Sequence, residues 1–156
     1  MRILKVTLTV LVVCVALVTG YLVYGAQANL QLRVETAAAQ DYPDVYDSVV
    51  QAVQSGAAEQ VLSEEAFTGA ADYELVSMQV TVRNRGLLPM EWLTCEYVPA
   101  QGDVAVYEVT EQPMDVAASS ERSFFVRVIR KNGATGNGKL KLTYYVAGKA
   151  VTKEVG

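Results

Sequence analysis

Histidine is absent from all 156 residues. That removes the commonest zinc ligand and the usual general base, so Ser-His-Asp and Cys-His chemistry cannot be assembled within this chain. Cysteine is nearly absent too. Cys14 lies inside an apolar run, which leaves Cys95 as the single thiol of the body and excludes a disulfide framework. Cys95 is expected to be a small buried hydrophobe rather than a reactive thiol. No Asn-x-Ser/Thr acceptor occurs, so glycosylation of that type is not expected. No catalytic residues and no cofactor are therefore expected, and the chain reads as a non-enzyme.

Charge is also missing from one long stretch. Val6 to Val23 (VTLTVLVVCVALVTGYLV) runs eighteen residues without a charge, with Arg2 and Lys5 before it and no further charge until Arg33. As a helix rising ~1.5 Å per residue this run spans about 27 Å, and Ile3, Leu4 and Tyr24 extend it to a bilayer core of ~30 Å. Lys5 can snorkel, and Tyr21 and Tyr24 fall where an outer interfacial belt would lie. Positive charge stays on the cytoplasmic side, so the domain is expected outside the membrane, in a bacterial envelope. The alternative is a cleaved signal peptide. Ala26-Gln27-Ala28 has the small-x-small form of a cleavage site, and cleavage there would release a secreted protein beginning at Asn29. The length of the apolar run, beyond the ~7–15 residues of a signal core, favours an uncleaved anchor.

Beyond residue 28, enough chain remains to bury one core without metals or disulfides. Residues 29–72 read as a strand, a short helix and a connection. Leu30, Leu32 and Val34 alternate with Gln31, Arg33 and Glu35, which predicts a strand at 30–35. Pro43 suits a first helical position, and Tyr46, Val49, Val50 and Val53 form one stripe before Gly56, which predicts a helix over 43–54. Residues 57–72 are expected to connect, with a turn of helix. From residue 73 to 156, strand follows strand at 73–83, 90–98, 104–109, 122–130, 139–146 and, after a tight turn at Ala147-Gly148-Lys149, 150–155, separated by Gly, Asn and Pro turns. The expected class is mainly β: an antiparallel sandwich with one inserted short helix, preceded by a transmembrane or signal helix.

The segment VTVRNRGLLPMEWLTCEY runs a strand into Asn84-x-Gly86 and on into a second strand. It resembles bacterial cell-surface immunoglobulin-like modules of the CARDB type, over residues 73–156. The resemblance implies an immunoglobulin-like fold and a binding or spacer role. The helix at 43–54 departs from a plain module of that kind.

Four constellations invite a sharper reading. Gly133 to Lys139 satisfies G-x-x-x-x-G-K, but Leu140 follows where a phosphate-binding loop needs Ser or Thr, and a strand follows where it needs a helix. The segment is expected to be a hairpin loop. Asp41, Asp44 and Asp47 lack the alternating ligands and glycine bend of a calcium loop and read as surface acids near a helix N-terminus. Glu64 and Glu65 are adjacent and diverge, so they do not form a glycosidase pair. Trp92, the single tryptophan, sits out of phase with Leu93, Cys95 and Tyr97; a bulge could still turn it inward, and core packing is preferred over an exposed contact. Tyr107, Tyr144 and Tyr145 could face either way.

Charge is divided along the chain. From Glu35 to Glu121 there are sixteen acids and two bases, Arg83 and Arg85; eight bases follow before Glu154. One expectation is that the fold sets basic strands beside acidic ones. The other is that Lys139 and Lys141, on one face of their strand with Thr143 and Tyr145, form a patch for an anionic wall polymer or headgroup. The partners expected are the membrane, through the N-terminal helix, and an envelope protein or anionic wall polymer. No nucleic-acid partner is expected.

Overall fold

The computed structural model describes the backbone of residues 2–24, 28–136 and 138–156, and side chains for 6–20, 28–136 and 138–156. Ala26 and Gln27 of the cleavage motif, Asn137 of the hairpin loop, and the side chains of Arg2, Lys5, Tyr21 and Tyr24 lie outside the described residues. The N-terminal run forms α1 (Arg2–Tyr24). Side chains are described for residues 6–20 of it, and among the described residues no helix is long and apolar enough to cross a membrane.

The rest is mainly β. Strand β1 (Ala28–Ala38) leads through a 3-10 turn (Ala39–Asp41) into helix α2 (Pro43–Ser55). Then come β2 (Gln60–Val61), a second 3-10 turn (Ala70–Asp72), β3 (Tyr73–Asn84), β4 (Met90–Val98) and β5 (Asp103–Val109). The chain ends with β6 (Met114–Val116), β7 (Glu121–Lys131), β8 (Lys139–Val146) and β9 (Lys149–Val155). A five-stranded sheet has the order β1-β3-β7-β5-β2, a four-stranded sheet the order β6-β4-β8-β9, and every pairing is antiparallel.

Period-two alternation decides what lies between the sheets. Val76, Met78, Val80 and Val82 of β3 meet Phe124, Val126 and Val128 of β7 and, from the other sheet, Leu93, Leu140, Leu142 and Tyr144 in one buried cluster. A second cluster lies on the opposite face of the five-stranded sheet. There α2 lays Tyr46 and Val49 over Tyr73, Leu75, Ala105 and Ile129, with Val50 and Val53 at the margin. Shifts of register in β5 let consecutive Val104, Ala105 and Val106 all be buried, the first two under α2 and the third between the sheets. Gly56, at φ 73°, closes α2, which runs one residue past its expected end.

The expected helix and strands are all present, and the helix covers a face of the sheet rather than its edge. Two short strands, β2 and β6, were not legible: two and three residues give no measurable alternation. The connection at 57–72 holds β2 and a single 3-10 turn. It is pinned by Phe67, whose ring centroid lies 6.1 Å from that of Tyr46 and 5.4 Å from that of Tyr73.

Candidate interaction surface

The outer face of the four-stranded sheet carries Trp92. Between Met90 and Leu93 strand β4 bulges, and its register shifts against both β6 and β8. The bulge turns Met90 and Leu93 both inward, at 0% and 1% exposure, and leaves Trp92 outward at 64%. The preference for core packing is thereby corrected. The extra residue absorbs the phase change, so Glu91 and Trp92 both stay outside while Met90 and Leu93 are buried. Trp92 adopts φ 53°, a left-handed conformation costly for an aromatic residue, and its N–H donates to Asp115 Oδ1 at 2.9 Å. The backbone is thus held in an unfavourable well that displays the side chain.

Beside it runs β8. Leu140, Leu142, Tyr144 and Val146 are buried, whereas Lys139 and Tyr145 are exposed and Lys141 and Thr143 half-buried on the opposite face. Tyr145 lies opposite Glu91. Lys139 and Lys141 do share a face, but that face is charge-compensated: Lys141 Nζ sits 3.1 Å from Glu96 Oε2, and Glu154 is its partner in register on β9. The same logic places basic β7 between β3 and β5. Arg130 pairs with Glu74 at 2.8 Å, Arg127 with Glu108, and Lys131 with Glu65. Basic strands lie beside acidic ones.

A second concave feature lies on the five-stranded sheet. An open groove of about 860 Å³ separates α2 from β1, β3 and β5, with Leu75, Val49 and Ala52 as its floor and Tyr42, Asp44 and Arg127 at its rim. Arg127 stacks its guanidinium 4.7 Å from the Phe125 ring centroid and is paired with Glu108, so this cation is already engaged within the domain. Asp44 lies in the first turn of α2 and Asp41 in the preceding 3-10 turn. Among the described residues no three His, Cys, Asp or Glu side chains converge on a metal position.

The other singled-out residues are structural. Lys139 opens a strand, not a helix, and a Cβ on Gly138 would lie 2.1 Å from the Tyr97 hydroxyl. The glycine of the G-K pair is there because Tyr97 covers it. Tyr97 in turn donates to buried Asp103 at 2.6 Å, and burial followed by that bond raises its pKa. Burial pushes the Cys95 thiol up to about 12, which keeps it protonated and inert at neutral pH. Tyr144 is fully buried, and Tyr107 lies at the edge of the cluster under α2.

Asn84 reads from the sequence as turn chemistry, and no local signal announces its burial. It is 1% exposed, accepts from Gly86 N at 2.9 Å, and donates to Leu88 O at 2.8 Å and Val116 O at 3.2 Å. Nothing in the sequence pattern singles out Asp115 or Leu87. Asp115 acts through a bond 23 residues away, and Leu87, 66% exposed, is apolar at a turn where only its setting gives it meaning. No protein-family model matches the chain, and comparison with curated proteins finds no match.

Proposed function

We propose that this chain is a membrane-anchored interaction module of the bacterial cell envelope, with its N-terminus cytoplasmic and its two-sheet body outside. The observation that carries the reading is the uncharged run from Val6 to Val23, flanked only on its N-terminal side by Arg2 and Lys5. The backbone length of α1 supports the reading: 23 residues at ~1.5 Å each give about 34 Å, against a bilayer core of ~30 Å. Ala28 favours an uncleaved anchor over a secreted product. It is 6% exposed, belongs to the core between the sheets and pairs with Asn84, so cleavage after it would remove a residue of the fold.

The body is immunoglobulin-like in this reading. The order β1-β3-β7-β5 facing β4-β8-β9 is the ABED/CFG order of constant-type domains, with β2, β6 and α2 added. That order supports the resemblance to CARDB-type modules and, with it, a binding or spacer role. Trp92 occupies the strand on which such domains often bury a tryptophan, yet here it is displayed. Large exposed aromatics of this kind are frequent anchors of interfaces. Contact of Lys139 and Lys141 with an anionic wall polymer belongs to the same proposal, although Glu96 offsets part of their charge.

Fractionation of cells expressing the full chain is expected to leave it in the membrane pellet after alkaline wash, with an N-terminal sequence that precedes Ala28. A soluble product beginning at Asn29 would establish the secreted alternative. Retention on anionic wall polymer at low salt, lost in Lys139→Ala with Lys141→Ala, would support the polyanion contact; equal retention of parent and double variant would remove it.

A further inference from the structure

The register of both sheets sorts the turns of the body to its two ends. Ala28 pairs with Asn84, and Arg83 pairs with Glu121, which brings the start of β1, the end of β3 and the start of β7 together. In the other sheet Met90 pairs with Val116, Glu91 with Tyr145 and Val146 with Lys149. Asn84 joins the two sets through its bonds to Leu88 and Val116. The β3–β4, β6–β7 and β8–β9 turns therefore crown the end at which the chain enters the body.

This end carries the most exposed apolar side chains of the body. Leu87 is 66% exposed and Trp92 64%, and Tyr145 beside them is 42% exposed. It also carries both bases of the acidic stretch, Arg83 and Arg85, each exposed. The acids of the 41–72 segment lie at the other end. Ala38, where β1 hands over to that segment, is ten residues from Ala28 along the strand, about 33 Å at ~3.3 Å per residue. At physiological salt, charges that far from a surface are screened, since the Debye length is ~8 Å. Glu91, Asp115 and Glu121 stand at this end as well, against Arg83, Arg85, Arg122 and Lys149, so a chain of net charge −4 keeps a small basic excess beside its exposed apolar side chains where α1 joins it.

We infer that the Ala28 end of the body seats on the outer leaflet of the membrane that holds α1, with Leu87, Trp92 and Tyr145 at headgroup level and Arg83 and Arg85 against anionic lipid. This rests on the anchoring reading above. Four residue steps separate Tyr24 from Ala28, and extended chain covers at most about 14 Å over that length, so the end cannot stand far from the bilayer. Tryptophan and tyrosine prefer the interface because their rings are apolar with one polar edge, and bases near an anionic surface are drawn to it. The bulge at Trp92 and the bond its N–H donates to Asp115 then have a use: they hold the indole out of the core and toward lipid.

Because Trp92 is the single tryptophan, its fluorescence reports this contact directly. The full chain is reconstituted into vesicles containing phosphatidylglycerol, with either plain or brominated acyl chains, and its association is read by flotation after alkaline wash. The expected result is flotation together with a blue-shifted emission that brominated lipid quenches. Arg83→Glu with Arg85→Glu should float equally and lose most of that quenching. Flotation with water-like, unquenched emission overturns the seating and leaves the anchor standing; unchanged quenching in the double variant overturns the anionic contact. Failure to float after alkaline wash overturns both readings.

Discussion

At Asn84 one side chain closes a turn and joins two sheets, and its cost when lost can be reasoned from its partners. Asn84→Ala leaves the Gly86 N–H and the Leu88 and Val116 carbonyls short of partners in a buried site. A loss of about 3 kcal/mol is expected, since each unmet buried group costs ~1–3 kcal/mol and some relax to water. Urea unfolding should show it as a lower midpoint at unchanged slope. Cys95 makes an independent expectation. Its pKa is raised from 9.0 to about 12 by burial, so the folded state holds the proton more tightly than the unfolded chain. Its contribution to stability is complete below pH 9 and falls away as pH rises through about 12. Stability measured across that window should decline less in Cys95→Val than in the parent; parallel declines would mean the thiol is not shielded. Its strand phase points Cys95 toward the core, and the residue packs there only partly buried. Its backbone bonds to the Gln112 side chain were not legible, because they span seventeen residues.

At the scale of the element, α2 is the informative case. Its stripe of Tyr46, Val49, Val50 and Val53, its Pro at the first turn and its closing glycine were all readable. What they pack on was not. The helix sits on the outer face of the five-stranded sheet, where Tyr73, Leu75 and Ile129 break the simple rule that one face of a strand is buried. Tyr46 also donates its hydroxyl to the Thr68 carbonyl and so pins the following connection. Tyr46→Ala is expected to cost about 3–5 kcal/mol, the range for large-to-small changes in a core. Because the two clusters are separate, the loss should fall first on α2 and residues 57–72. Hydrogen exchange would test this: amides of α2 should lose protection while those of β3 and β8 keep it.

For the molecule as a whole, charge follows topology. The acidic half of the chain and the basic half are interleaved because β7 inserts between β3 and β5 and β8 lies beside β4. Exposed pairs such as Lys141–Glu96 contribute ~0–1 kcal/mol, so removing them should change little. The Arg130–Glu74 pair is different, with side chains only 12% and 22% exposed. Arg130→Ala strands a partly buried carboxylate and is expected to cost about 3 kcal/mol, a loss that salt should not erase. A double change to Arg130→Met with Glu74→Leu should recover most of it. If the single change proves neutral, the pair belongs with the exposed ones. Chemical denaturation at low and high salt separates the two cases.

Local order was determined by the residues themselves. Period-two alternation marks the long strands and a 3.6-residue period marks α2, because each pattern repeats within one element. The exposure of Trp92, the two short strands and the charge polarity of the ends were decided only by the tertiary structure. Each depends on a partner distant in sequence. Asp115 secures the bulge that turns Trp92 outward, β4 and β5 give β6 and β2 their pairing, and strand register alone brings Arg83, Arg85 and Leu87 to the end where Ala28 begins the fold. Alternation tells which side chains share a face, but a bulge of one residue reverses that face, and no local signal announces it.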